Sequence, residues 1–330
     1  MKHTLIGAVA ALALAAGPAL AEFPEKDING IIQWGAGGST DLVARSVTPH
    51  ATEVLGGNVI MQNMTGGVGL IALKYVLQQP ADGYTLLIGA ENPQLYKVLG
   101  LGTEDYGDLI PINILARGVP IIVVSPDAPY NTFSELVEYV QANPGKVRVG
   151  STGPGGLPSV VTTMLSSEVE LPMTAVPYDG DGPALTALLS GAIDVMPAVL
   201  GAALENITAG RMKPIALIDD KPNDLLPGVD PITASHPAYQ KYLPWGPFFG
   251  VFVKDGTPDD VVAKLVDAYA QGATHADFTK LMEDRGYEML NLSGDEARTF
   301  LNNWQSVSSW LVYDGGMGKR SPEEFDIPRP

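Results

Sequence analysis

Short apolar runs alternate with longer stretches in which apolar residues recur at helical spacing, and this alternation continues from residue 30 almost to the end of the chain. The first unit reads as a strand over residues 30–34, a glycine-rich loop over 35–38 and a helix over 41–55. The plan then repeats. Further strands are expected at 59–62, 84–89, 121–125, 147–151, around Met196, at 214–218 and at 248–253. Helices are expected at 70–79, 133–142, 159–168, 183–190, 258–273 and 294–312. Strands alternating with amphipathic helices predict an α/β architecture. Residues 219–243 are rich in Pro, Asp and Asn with weak periodicity, so they read as a long surface excursion. The charged, Pro-rich tail 319–330 is expected to lie extended over the surface or to be disordered.

The first 21 residues stand apart from this pattern. A short basic start, an apolar stretch from Leu5 to Ala16 and the small-residue pattern Ala19-Leu20-Ala21 predict an export signal cleaved after Ala21, with the mature protein in the periplasm. The apolar stretch is too short, and too soon broken by Gly17-Pro18, for a membrane anchor. The 330-residue chain is longer than one core usually organises, so two domains are expected. Residues 22–120 with 246–330 would form domain 1 and residues 121–245 domain 2, the second crossing falling at Trp245-Gly246-Pro247.

Composition removes several functions. The chain contains no Cys, so neither disulfides nor thiolate metal sites hold it together. A formal charge of −17 excludes nucleic acid and anionic membrane surfaces as partners, because both need a cationic footprint. It does not exclude a small anion. The Debye length is about 8 Å at physiological salt, so distant surface carboxylates are screened and local donors decide.

Two segments concentrate such donors. Gly35-Ala36-Gly37-Gly38-Ser39-Thr40-Asp41 precedes the first helix, and Ser151-Thr152-Gly153-Pro154-Gly155-Gly156-Leu157-Pro158-Ser159 precedes another. Glycines let a backbone approach a ligand, and the first-turn N–H groups of a helix lack internal partners and carry partial positive charge. Each loop alone is equally well a tight strand-to-helix turn. Two of them, one in each expected domain, predict a cleft with both helix starts aimed at an anion. Neither loop has the Gly-Lys-Ser/Thr of a phosphate-binding NTPase, and Thr40 stands where a dinucleotide fingerprint needs Gly or Ala. No cofactor is expected. His50, His236 and His275 have no metal-ligand spacing and read as solvated surface, so no metal site is expected either. An α/β hydrolase-like enzyme acting on a small carboxylate is the alternative, but no nucleophile–base pair is evident.

Taken together with other motifs, these loops resemble the receptor family of tripartite tricarboxylate transporters, the Bug-type periplasmic solute-binding proteins. The resemblance rests on the loop ending in Thr40-Asp41, on Asn63 followed by Gly66-Gly67-Val68-Gly69, and on Asp82-Gly83-Tyr84-Thr85-Leu86-Leu87. Asn143-Pro144-Gly145-Lys146 and Pro177-Tyr178-x-Gly180-x-x-Pro183-Ala184-Leu185 complete it. It implies a two-domain Venus-flytrap fold of the type II periplasmic binding proteins. A small organic anion, a di- or tricarboxylate or a relative, would bind in the cleft and pass to membrane subunits of a tripartite system, with a monomer the simplest state. By carry-over, Gly37, Gly38, Ser39 and Thr40 would line one side of the cleft and Thr152, Gly153, Gly155 and Gly156 the other. Trp34, Asn92, Tyr178 and Asp179 would shape its far half. Glu91 and Asp179 are expected to face solvent or cap helices, and either one, if it faced the ligand, would disfavour a second carboxylate there. The chain departs from the family at Met64-Thr65, where Arg-Pro is frequent, at Gly156, where Ser or Thr is frequent, and at Ser159, where many members carry His. Pro154 also removes one donor.

Overall fold

The computed structural model describes residues 23–330. The expected export signal lies outside the described residues. From β1 (Ile28–Ile32) the chain passes through α1 (Ser39–Leu55), β2 (Val59–Asn63), α2 (Leu70–Gln78), β3 (Thr85–Ala90), α3 (Tyr96–Leu99) and β4 (Leu109–Arg117). It then enters β5 (Pro120–Val124), α4 (Phe133–Ala142), β6 (Arg148–Ser151), α5 (Leu157–Ser166), β7 (Thr174–Pro177), α6 (Asp181–Leu189), β8 (Val195–Val199), α7 (Leu200–Thr208) and β9 (Lys213–Leu217). After α8 (Ile232–Ser235) it returns through β10 (Phe248–Lys254), α9 (Asp259–Ala273), α10 (Ala276–Asp284), β11 (Glu288–Leu292) and α11 (Gly294–Asp314).

These strands form two mixed sheets. The first has the order β11-β4-β10-β3-β1-β2 and the second β7-β6-β8-β5-β9. Each contains a parallel trio, β2-β1-β3 in one and β7-β6-β8 in the other, with antiparallel strands added beside it. In such sheets a ligand site lies beyond the carboxyl ends of the parallel strands, where the loops enter the next helices. Both glycine-rich loops sit at such ends, after β1 and after β6.

The core follows from strand alternation. In β5, Ile122 and Val124 join the main cluster that also holds the first sheet, while Ile121 and Val123 face the opposite way into a second cluster with α6 and α7. The two passages between sheets lie side by side. Gly118, between β4 and β5, donates its N–H to the Pro247 carbonyl at 2.8 Å. A Cβ on Gly246 would sit 2.1 Å from the Gly118 carbonyl oxygen, so backbone meets backbone here and only glycine fits.

Several elements differ from the sequence reading, and each has a local reason. The first strand ends at Ile32 because Gln33 and Trp34 already turn toward Asn92. β4 is not apparent in the sequence because its run is apolar on both faces and contains Pro111, which marks against a strand. In the structure Pro111 pairs with Phe252 at a register shift. β7, β11, α7 and α10 are short elements that the reading also misses. The 219–243 excursion is anchored rather than loose: Tyr239 is fully buried and its hydroxyl donates to the Leu165 carbonyl at 2.7 Å. The tail is docked too. Trp310 Nε1 donates to the Pro328 carbonyl at 2.9 Å, Ile327 is buried and Arg329 lies over the Trp310 ring at 3.8 Å. Aromatic burial of the tail against α11 outweighs its polar composition.

Candidate functional site

Between the sheets lies a cavity of about 30 Å³, lined by Trp34, Gly38, Ser39, Thr40, Ala90, Glu91, Thr152, Leu157, Gly180, Asp181, Val199, Pro247 and Phe249. This has room for about two waters. Most of these residues follow strand ends, after β1, β3, β6, β7 and β8. Helices α1, α5 and α6 all begin here, with N-caps Gly38, Gly156 and Gly180 that offer no side-chain capping bond. First-turn N–H groups of α1 and α6 and that of Leu157 in α5 have no side-chain cap, whereas Pro158 has no N–H and Ser159 N–H donates to the Gly156 carbonyl at 3.0 Å; uncapped helix starts are the arrangement that receives an anion.

The two glycine-rich loops are joined by a third helix start that the sequence reading does not single out. Gly180 has φ +128°, and a Cβ there would lie 3.2 Å from the Gly35 nitrogen, so glycine is needed to bring α6 against the first loop. Hydrogen bonds among the described residues span the cleft. Gly35 N–H donates to the Asp179 carbonyl at 2.9 Å, Ser39 Oγ donates to Asp181 Oδ2 at 3.1 Å, and Asn92 Nδ2 donates to the Gly155 carbonyl at 2.7 Å. The cleft is closed.

The expected site residues divide into groups. Trp34, Gly38, Ser39, Thr40 and Thr152 line the cavity. Gly156 caps α5 beneath it, and a Cβ there would lie 1.9 Å from Thr152 Oγ1, so any larger residue must displace the threonine. Asn92 is fully buried and spent on other work, since its Oδ1 accepts from Gln33 Nε2 at 3.1 Å and Trp34 Nε1 at 3.2 Å. It ties the first loop to the second. Gly153 and Gly155 pack toward Val68 and Leu99 rather than lining the cavity. Gly37 is exposed and gives its N–H to Asp41 Oδ2 at 3.0 Å, and with Tyr178 it borders an outer groove. The Asp179 side chain is exposed; only its backbone serves the cleft.

Two groups hold the first loop in shape. Asp41 Oδ1 accepts from Arg45 Nε at 2.8 Å and from Asn63 Nδ2 at 2.9 Å, while the same Asn63 nitrogen reaches the Trp34 carbonyl at 2.8 Å. Burial pushes the Asp41 carboxyl up, but the Gly37, Asn63 and Arg45 donors outweigh it and hold the group below its ordinary value.

The acids inside the cleft behave the other way. Glu91, expected at the solvent, is 3% exposed, and its Oε2 has no hydrogen-bond partner among the described residues. Its position after the buried strand β3 carries it inward. Burial raises its pKa to about 8, opposed by its own backbone N–H and reinforced by the charge of Asp181. Burial likewise raises Asp181 to about 6 against the pull of the Ser39 hydroxyl. The histidines show one grouping that spacing conceals. His50 and His275 stack with ring centres 3.7 Å apart, and Asp277 lies close enough for all three to offer a ligand atom to one ion. His50 stands 11 residues beyond the start of α1, about 16 Å along the helix from the cleft.

Comparison with known proteins settles the family. The model of the tripartite tricarboxylate transporter family receptor matches residues 43–313. The chain belongs to this receptor family. It is 30% identical over 316 residues to a UPF0065 protein of Bordetella pertussis, covering 94% of this chain and 96% of that one. It is 27% identical over 296 residues to protein BugT of the same organism, covering 82% and 88%. The structure of the periplasmic binding protein BugD superposes with a TM-score of 0.85 at 28% identity, covering 90% of this chain and all of that one. MatC of Rhodopseudomonas palustris, solved with bound malate, superposes with a TM-score of 0.81 at 25% identity, covering 88% of this chain and all of that one. The two-sheet architecture is thus the two-domain α/β fold of periplasmic binding proteins. Among the described residues no helix is long and apolar enough to cross a membrane.

Two outcomes test this geometry. Glu91 and Asp181 hold protons more tightly folded than unfolded, so stability falls as pH rises from the ordinary carboxylate range through about 8. Calorimetric melting of the unliganded receptor is expected to show a midpoint that declines from acid to mildly alkaline pH. Glu91→Gln removes most of the slope above the Asp181 value of about 6; an unaltered slope in the variant contradicts the buried placement. Separately, a Cβ on Gly182 would lie 2.4 Å from the Ala36 carbonyl oxygen across the cleft. Overpacking of this kind costs ~1–3 kcal/mol, so Gly182→Val holds the cleft open. X-ray scattering should show a larger radius of gyration with unchanged far-UV circular dichroism, and wild-type dimensions would show that the close approach is dispensable.

Proposed function

We propose that this receptor captures a small organic carboxylate in the bacterial periplasm and delivers it to the membrane subunits of a tripartite tricarboxylate-type secondary transporter. The observation that carries the reading is the convergence of three glycine-capped helix starts on one cavity between the domains. In this reading one carboxylate of the ligand sits against the first turns of α1, α5 and α6, with the Ser39, Thr40 and Thr152 hydroxyls as further donors. The malate held by MatC is a ligand of the same chemistry in a related fold.

The magnitudes are adequate without a cationic side chain. Hydrogen bonds to a charged acceptor contribute ~1.5–3 kcal/mol each, so four of them give roughly 6–12 kcal/mol before ordering costs. Micromolar affinity needs about 8 kcal/mol. Ligand contacts to both domains favour the closed arrangement, and release to the membrane partner requires it to open. The signal-like N-terminus supports export, with the mature chain beginning after Ala21 and acting as a monomer. A catalytic role has less support, because the family whose model this chain matches is a receptor family, although Ser39 does donate to the Asp181 carboxylate on the cavity wall.

Thermal melting against small carboxylates, sulfonates, sugars and cationic amino-acid amides tests the proposal. A ligand at 100 times its dissociation constant adds about 2.7 kcal/mol, which should raise the midpoint by roughly 5 °C. The proposal expects that rise with carboxylates alone. A rise with sugars or carboxylate-free cations alone, or with nothing, contradicts it.

A further inference from the structure

The carboxyl groups of the cleft are the feature that carboxylate capture leaves unexplained. Glu91 is 3% exposed, lines the cavity, and presents an Oε2 that no donor reaches among the described residues. Leaving a buried acceptor unpaired is costly, so such an atom calls for a partner that arrives from outside. Asp181, also on the lining, accepts only the Ser39 hydroxyl in the described residues. Among those residues no Lys, Arg or His stands on the cavity wall. Two aromatic rings, Trp34 and Phe249, share it, and aromatic faces attract cations.

Resting on the carboxylate reading above, we propose that the cleft selects a small zwitterion, its carboxylate held by the helix starts and its ammonium end received by Glu91. A second carboxylate beside Glu91 would face an acid and no cation among the described lining residues. An ammonium there pairs with the free Glu91 oxygen and lies near the aromatic rings.

Proton linkage gives the inference its own signature. Around Glu91 stand Tyr96 and Tyr106, both neutral because burial raises them, together with Asp181. Around Asp181 stand Glu91 and Tyr287, whose hydroxyl burial also keeps neutral and whose charged neighbour is Arg285. At about pH 7.5 Glu91 is largely protonated, being raised to about 8 by burial. An arriving cation ionises it, so binding expels up to about one proton per ligand. A dicarboxylate would keep that proton or take up another.

The test is titration calorimetry of the mature chain in two buffers of different ionisation enthalpy. The probes are the ω-amino acids from glycine to 6-aminohexanoate and the matching dicarboxylates from oxalate to adipate. The expected result is a best amino acid that binds at least tenfold more tightly than any dicarboxylate, with proton release. The variant Glu91→Gln should lose that preference and the proton release; an unchanged preference in the variant overturns the inference. Tighter binding of a dicarboxylate, with proton uptake, overturns the inference and leaves carboxylate capture standing. Binding of neither series removes both.

Discussion

An α-helix leaves its first N–H groups without partners, and this structure depends on where those groups are allowed to remain so. At α1, α5 and α6 the capping position is glycine, which supplies no side-chain oxygen to satisfy them. All three starts lie beyond the carboxyl ends of parallel strands and face one small cavity. Ordinary surface helices would be capped by Ser, Thr, Asp or Asn, and α4 is capped in that way by Thr132. Other helices, α9 and α11 among them, also lack a side-chain cap, so what sets α1, α5 and α6 apart is that their starts meet at one cavity.

The remaining polar interactions serve to hold these starts in place. Asp41, Asn63 and Arg45 fasten the first loop from below, and Asn92 joins it to the second loop through Gln33, Trp34 and Gly155. None of these groups needs to touch a ligand to matter. The paired crossings at Gly118 and Pro247 run side by side between the two sheets, and backbone contacts at Gly35, Gly180 and Gly182 allow them to meet. Small residues at the meeting line and saturated amides behind it are what let the cleft close to so small a volume.

Much of this was legible in the sequence where pattern and chemistry coincide. Alternating apolar runs marked most strands, and the glycine-rich stretches before α1 and α5 pointed to the cleft. Other features depend on tertiary packing. Pro111 disguised β4, because its partner strand shifts register there. Composition left the tail either extended over the surface or disordered, and Trp310 and Arg329 decide for the surface by holding it against α11. Glu91 read as a solvent group because its type is rarely buried; the fully buried β3 before it was the one available sign. Asp181 passed unnoticed beside Tyr178 and Asp179, although the string ending in Pro183-Ala184-Leu185 already implied a helix starting next to it. Gly37 shows the converse, a glycine required by its φ of +77° whose N–H is already taken by Asp41.

The most direct measurement of the central claim is the amide nitrogen–proton spectrum of the mature receptor during titration with a carboxylate that stabilises it. The account predicts that the largest shifts fall on Ser39, Thr40, Leu157 and Asp181, the first residues of the three uncapped helices and their neighbour. Shifts that leave these amides unmoved and cluster elsewhere would mean that the ligand is held by some other surface and that the helix starts are turns alone.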